Sequence, residues 1–161
     1  LPLLLASQAL PIFVIAPLLV LWFGYGITAK ILTTTFMLFF PVANNFLDGL
    51  KQTPENYLNL AHIMNSSRWQ TLYQIRIPAA LPNLASGIRI ATAMAPLGAI
   101  IGEWVGSSQG LGFLLLNANA QMQTGLMFAI LAVIFFFSIF IYFLIDKLLC
   151  LGMPWTLLKS H

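Results

Sequence analysis

The chain has 161 residues, of which 60% are hydrophobic and only 7% charged. A soluble domain carries about 45–50% apolar and about 25% charged residues, so four Asp/Glu and seven Lys/Arg cannot clothe a water-exposed surface of this size. These proportions exclude an ordinary soluble enzyme, a disordered chain and a nucleic-acid binder; they describe an integral membrane protein.

Crossing a bilayer takes about 20 mainly apolar residues in a helix. The chain opens on Leu1 with no basic segment, short apolar run and cleavage site, so Leu1 does not begin a signal peptide. Further sequence is expected upstream. A first span is predicted over 9–26, with Pro11 and Pro17 inside it and Gly24, Gly26 and Lys30 ending it. A second covers 31–49, carries Pro41, and closes at Asp48-Gly49. A third covers 84–105, with Arg89 near its start and Glu103 near its end. A fourth, 126–146, is almost wholly apolar and is expected to stop at Asp146-Lys147. The segment from Gly106 to Gly125 is uncharged but rich in Gly, Ser, Asn and Gln, which argues against a fifth span.

Cations in short loops mark the cytoplasmic side. With the polar segment 51–82 inside, that side holds Lys51, Arg68, Arg76, Lys147 and Lys159, plus Arg89 at the membrane boundary, against Lys30 alone outside. The loop and the C-terminus are therefore expected inside.

That loop predicts two short helices. Thr53-Pro54-Glu55 reads as a hydroxyl cap, a proline at the first helical position and an acid in the first turn. Tyr57, Leu60, Ala61 and Met64 then recur at helical spacing. Asn65-Ser66 breaks the pattern, because Asn accepts a left-handed backbone and Ser can cap the next helix. Ser67 to Arg76 forms the second helix, with Trp69, Leu72 and Tyr73 on its apolar side, and Pro78 and Pro82 mark an elbow into the third span. On these features alone, a hairpin lying on the membrane and a docking surface fit equally well.

Ser67-Arg68-Trp69-Gln70, Ile77-Pro78-Ala79-Ala80-Leu81-Pro82 and Gly87-Ile88-Arg89-Ile90-Ala91 resemble the EAA loop of bacterial ABC importer permeases. Ala16-Pro17 through Gly24, Leu47-Asp48-Gly49-Leu50, Gly102-Glu103-Trp104-Val105-Gly106 and Gly110-Leu111-Gly112-Phe113 resemble the subgroup importing nitrate, sulfonates, taurine and thiamine-precursor pyrimidines. Asn59-Leu60-Ala61 stands where that family has Glu-Ala-Ala, and Asn65 where it has Gly. The resemblance implies an all-α membrane protein, about four helices of a MetI-like type I permease fold, in a bacterial inner membrane. It implies that Asn59, Leu60, Ala61, Asn65, Ser66, Ser67 and Arg68 contact separate ABC ATP-binding subunits, which bind the ATP; the chain itself would hold no cofactor. It further implies a solute-binding protein and a second permease copy as partners. A truncated inactive permease, a membrane scaffold and a secondary-transporter fragment are the alternatives.

Asn44, Asn45, Glu103, Trp104 and Phe113 are the candidates for the solute pathway. Each of the first four has a plainer reading. Asn44 and Asn45 can hydrogen-bond to a neighbouring helix, Glu103 can be a helix-end carboxylate in the headgroup region, and Trp104 can be an interfacial anchor. Gly110-Leu111-Gly112 lacks the third glycine and preceding strand of a nucleotide loop; it fits close packing near an outer gate. His62 has no second ligand at metal spacing, Cys150 reads as a free thiol that leaves no disulfide or cysteine-based zinc site, and Phe135-Phe136-Phe137 reads as lipid contact. With no Walker lysine motif or catalytic set in plausible context, the chain is expected not to be an enzyme.

Overall fold

The computed structural model describes residues 12–152. Within them the chain forms α1 (Ile12–Phe23), α2 (Ile27–Lys51), α3 (Glu55–Ile63), α4 (Arg68–Thr71), a π turn (Leu72–Arg76), α5 (Ile77–Gly106), α6 (Leu111–Ala120) and α7 (Thr124–Gly152). Among the described residues there is no strand, as lipid requires of a chain that must satisfy its own backbone.

Three helical stretches are long and apolar enough to cross a membrane: α2, the continuous run Arg68–Gly106, and α7. The described helix of the first expected span, α1, is shorter, and residues 9–11 of that span lie outside the described ones. Gly24 stops α1: its φ of 79° suits glycine, and its N–H donates to Val20 O at 2.8 Å.

The core of the bundle is the antiparallel contact of α2 with α5, and small residues make it. An added Cβ would meet Lys30 Cα at 3.2 Å from Gly102, Thr34 Cγ2 at 3.2 Å from Gly98, Val42 Cα at 3.0 Å from Gly87 and Ala80 Cβ at 3.0 Å from Gly49. The partners step down α2 as the positions step back along α5, so one register holds for the whole contact. Lipid tails are as apolar as any side chain, so helices associate in them by close packing, which these residues permit. Thr33, Thr34, Thr92 and Ser138 donate to the carbonyls of Ala29, Lys30, Ile88 and Ile134 in their own helices. The hydroxyls thus need no partner from lipid.

α7 packs on α5 and α6 and leaves Phe128, Phe135, Phe136, Phe140 and Phe143 exposed on its outer surface. It does not stop at Asp146-Lys147 but continues to Gly152. The reason is Arg89, whose Nε donates to Asp146 Oδ1 at 2.6 Å, so the acid is paired and need not leave the helix for water.

Two other expectations are corrected. Pro78 and Pro82 do not form an elbow: Pro78 directly follows the π turn in the first turn of α5, Pro82 lies inside the helix, and the helical run continues through both. The carbonyls that Pro78 cannot serve lie in the π turn Leu72–Arg76, where the hydrogen-bond pattern is wider. Thr53 does not cap α3; its hydroxyl donates back to Leu50 O at 3.1 Å, and Pro54 occupies the cap position.

Candidate functional site

At the end of the bundle carrying Lys51, α3 and α4 form the folded loop. Asn65 has φ 55°, and the turn around it is a Schellman motif. Asn65 N–H donates to His62 O and Ser66 N–H to Ala61 O, each at 3.0 Å. The cap falls on Ser67 and not on Ser66 as expected, in a reciprocal capping box that starts α4: Ser67 Oγ accepts from Gln70 N–H, and Gln70 Oε1 accepts from Ser67 N–H at 2.9 Å. The left-handed residue and the cap thus lie two positions apart and fix the angle between the two helices.

Of the residues expected at this surface, Asn59, Leu60, Asn65, Ser67 and Arg68 are exposed, Ser66 is half-buried and Ala61 is buried. The apolar stripe expected on α3 is not covered: Tyr57, Leu60 and Met64 are all exposed. On the other helix Trp69 and Tyr73 stack with ring centroids 6.1 Å apart, and both are exposed. A cavity of about 440 Å³ lies between the helices, lined by Leu58, Ala61, His62, Ser66, Arg68, Thr71, Leu72 and Arg76. A second, of about 500 Å³, lies towards α2 and α5 between Gln52, Tyr57, Gln74 and Asn83, and no charged residue lines it.

The opposite end is organised around Gly112. Its N–H donates to Glu103 Oε2 at 2.6 Å, and its carbonyl accepts from Trp104 Nε1 at 3.1 Å. Glu103 therefore sits at the N-terminus of α6, where a carboxylate is favoured by the unpaired N–H groups and the helix dipole. Gly110 must be glycine twice over: its φ is 126°, and a Cβ there would fall on the Glu103 carboxylate. Lys30 Nζ donates to Gln109 O at 3.3 Å and ties the same loop to α2. Phe13 of α1 lies 6.5 Å from Trp104 between ring centroids.

This geometry brings Glu103 and Trp104 together with the Gly110–Phe113 segment, and Phe113 is half-buried on α6. It does not bring in Asn44 or Asn45, which lie towards the other end of α2. Neither bonds to a neighbouring helix as expected: Asn44 Nδ2 donates to Asp48 Oδ2 at 3.3 Å and Asn45 Nδ2 to Pro41 O at 2.8 Å, both within α2. Sequence reasoning missed the Arg89–Asp146 pair, and the one available signal was an acid and a base on separate apolar segments. Among the described residues no cluster of three or more His, Cys, Asp or Glu could hold a metal.

Residues 1–149 match the family described as the binding-protein-dependent transport system inner membrane component. The chain belongs to this family. It is 54% identical over 149 residues to a probable ABC transporter permease protein of Haemophilus influenzae, covering 92% of this chain and 61% of that protein. It is 38% identical to the formylaminopyrimidine transport permease protein ThiX of Halalkalibacterium halodurans, over 96% of this chain and 62% of the relative. It is 37% identical to the riboflavin transport system permease protein RibX of Chloroflexus aurantiacus, over 96% and 58%. This inner-membrane permease-family chain thus spans about three fifths of the length of these relatives. The relatives are named as transport components and not as enzymes, in agreement with the expectation from sequence. The EAA-loop resemblance and the all-helical permease fold are both in accord with the family.

Proposed function

We propose that the chain is the membrane-spanning part of an ATP-driven importer for a small solute, and that its 51–82 loop receives the ATP-binding subunits. The observation that carries this reading is the unbroken helical run Arg68–Gly106. It joins an exposed, capped surface element directly to the helix that forms the centre of the bundle. A push on the loop therefore reaches the spans without a flexible joint, and alternating access is the transport step such a connection serves. Asn59, Leu60, Ala61, Asn65, Ser66, Ser67 and Arg68 are the contact points, Asn59 without the charge of a carboxylate. The Lys51 end of α2 and the folded loop lie in the cytoplasm, and the Gly110–Phe113 segment faces the solute-binding protein outside.

The solute is a small heterocycle or anion of the kind named for the relatives, which include permeases for formylaminopyrimidine, riboflavin, aliphatic sulfonates and taurine. A second permease copy completes the pathway. The exposed aromatics of α7 and the exposed face of α2 leave surface for lipid and for that copy.

The test is purification of the full-length product from its own membrane in mild detergent, with mass spectrometry of the proteins that accompany it. An ATP-binding subunit in near-equal amount is expected, with ATP hydrolysis in the purified complex. Recovery of the permease alone, under conditions that keep a known importer intact, would overturn the reading.

A further inference from the structure

The cavity between α3 and α4 has an asymmetric chemistry. Arg68 and Arg76 border it from one helical run, His62 borders it from the other, and Thr71 adds a hydroxyl. No acid lines it, while Leu58 and Leu72 supply apolar contact. Two arginines lining a cavity together with apolar side chains suit a carboxylate on a short aliphatic stem, because Arg offers a fork of donors matched to carboxylate geometry.

Its distance along the helical run from the spans favours protein over lipid as the source of the anion. Gly49, near the end of α2, is level with Ala80, which its Cβ would touch. The helical run from Arg68 to Ala79 therefore extends about 18 Å beyond that level at 1.5 Å per residue. A headgroup layer is only about 5–8 Å deep, less than this length of helix. The other cavity, nearer the spans, has no charged lining residue at all. The charge is concentrated in the cavity farther from the spans.

The geometry points to the α3–α4 cavity as an acceptor for an Asp or Glu side chain of the ATP-binding subunit, gripped by Arg68 and Arg76. This rests on the docking reading and adds to it the chemistry of the contact. The permease supplies the cations and the ATPase the acid. Asn59, exposed and uncharged, leaves no carboxylate at that position to compete for the two guanidiniums.

The test uses the full-length permease in its native membrane with its ATP-binding subunit. The double variant Arg68→Glu/Arg76→Glu is expected to capture at least tenfold less ATPase than wild type while inserting at the same level. The double variant Arg68→Lys/Arg76→Lys keeps the charge and is expected to capture ATPase. Treating it with a water-soluble carbodiimide should join the lysine introduced at one of these two positions by an amide to an Asp or Glu of the ATPase, with loss of water, identified by mass spectrometry. Equal capture by wild type and the Arg68→Glu/Arg76→Glu variant overturns the acceptor while leaving the docking reading intact. A cross-link from neither introduced lysine, with the complex assembled, also overturns it. Absence of ATPase from the wild-type preparation overturns the docking reading and the acceptor with it.

Discussion

The two ends of the bundle use their few polar groups in opposite ways. At the Gly112 end, Glu103, Trp104 and Lys30 are all spent on backbone groups of the chain itself, and the glycines between them exclude anything larger. At the Lys51 end, Arg68, Arg76 and His62 surround an open cavity, and Trp69, Met64 and Ile63 are exposed around it. A polar group in or near lipid is costly, so each must have a use. One end is held together by internal bonds, and the other leaves its charge and apolar surface exposed.

The strongest way to break this comparison is to loosen the closed end. Gly110→Ala places a methyl group on the Glu103 carboxylate and puts a side chain in a backbone region that is essentially glycine's own, which costs about 1–3 kcal/mol for the backbone alone. The variant should lose most transport and show increased protease cleavage between Ser107 and Leu111 in membranes, while still capturing the ATP-binding subunit. Loss of capture would mean that the two ends are not separable. Glu103→Gln, whose side-chain oxygen can still accept from Gly112, should retain more activity than Glu103→Ala.

A smaller effect is expected at the ion pair between α5 and α7. Asp146→Ala leaves Arg89 without its partner in a partly buried setting, where the loss is about 1–2 kcal/mol, below that of a fully buried pair. Thermal unfolding in detergent should shift down, and the exchange Arg89→Asp with Asp146→Arg should recover part of the shift. If Asp146→Ala leaves the unfolding temperature unchanged, the pair does not hold the two helices.

The smallest change sharpens the open end. Ser67→Ala removes half of the capping box and should cost about 1 kcal/mol locally. Faster amide exchange over Arg68–Leu72, with the spans unaffected, would be the readout; exchange unchanged in α4 would mean that the cap does not hold the loop. Asn65→Gly is expected to act in the opposite sense, since glycine takes φ 55° without the steric cost that Asn bears.

Local chemistry was legible in the sequence where it acts over one turn. The left-handed Asn65 follows from a side chain acting on its own neighbourhood, and the structure has it; a serine cap follows too, but it falls at Ser67, one residue beyond the expected Ser66. The features that escaped were set by distant partners. Nothing local says that Glu103 will reach Gly112, or that Arg89 will hold Asp146 and let α7 run on. The prolines misled for the same reason. Read alone, Pro78 and Pro82 suggest a bend, but the helix runs through both, with the π turn Leu72–Arg76 directly upstream of Pro78. Asn44 and Asn45 turned inward to their own helix because Asp48 and the Pro41 carbonyl are one turn away.

The run from Arg68 to Gly106 is also a lever. One of its close contacts with α2 is at Gly87, about 30 Å from the Arg68 tip at 1.5 Å per residue. Any rotation about that contact would be amplified at the tip. Each degree of rocking there carries the tip through about 0.5 Å, and a rotation of about 10° moves it by nearly one helical turn. A small rearrangement between two glycine-faced helices is thereby exchanged for a displacement large enough to be pushed or felt by a neighbouring protein.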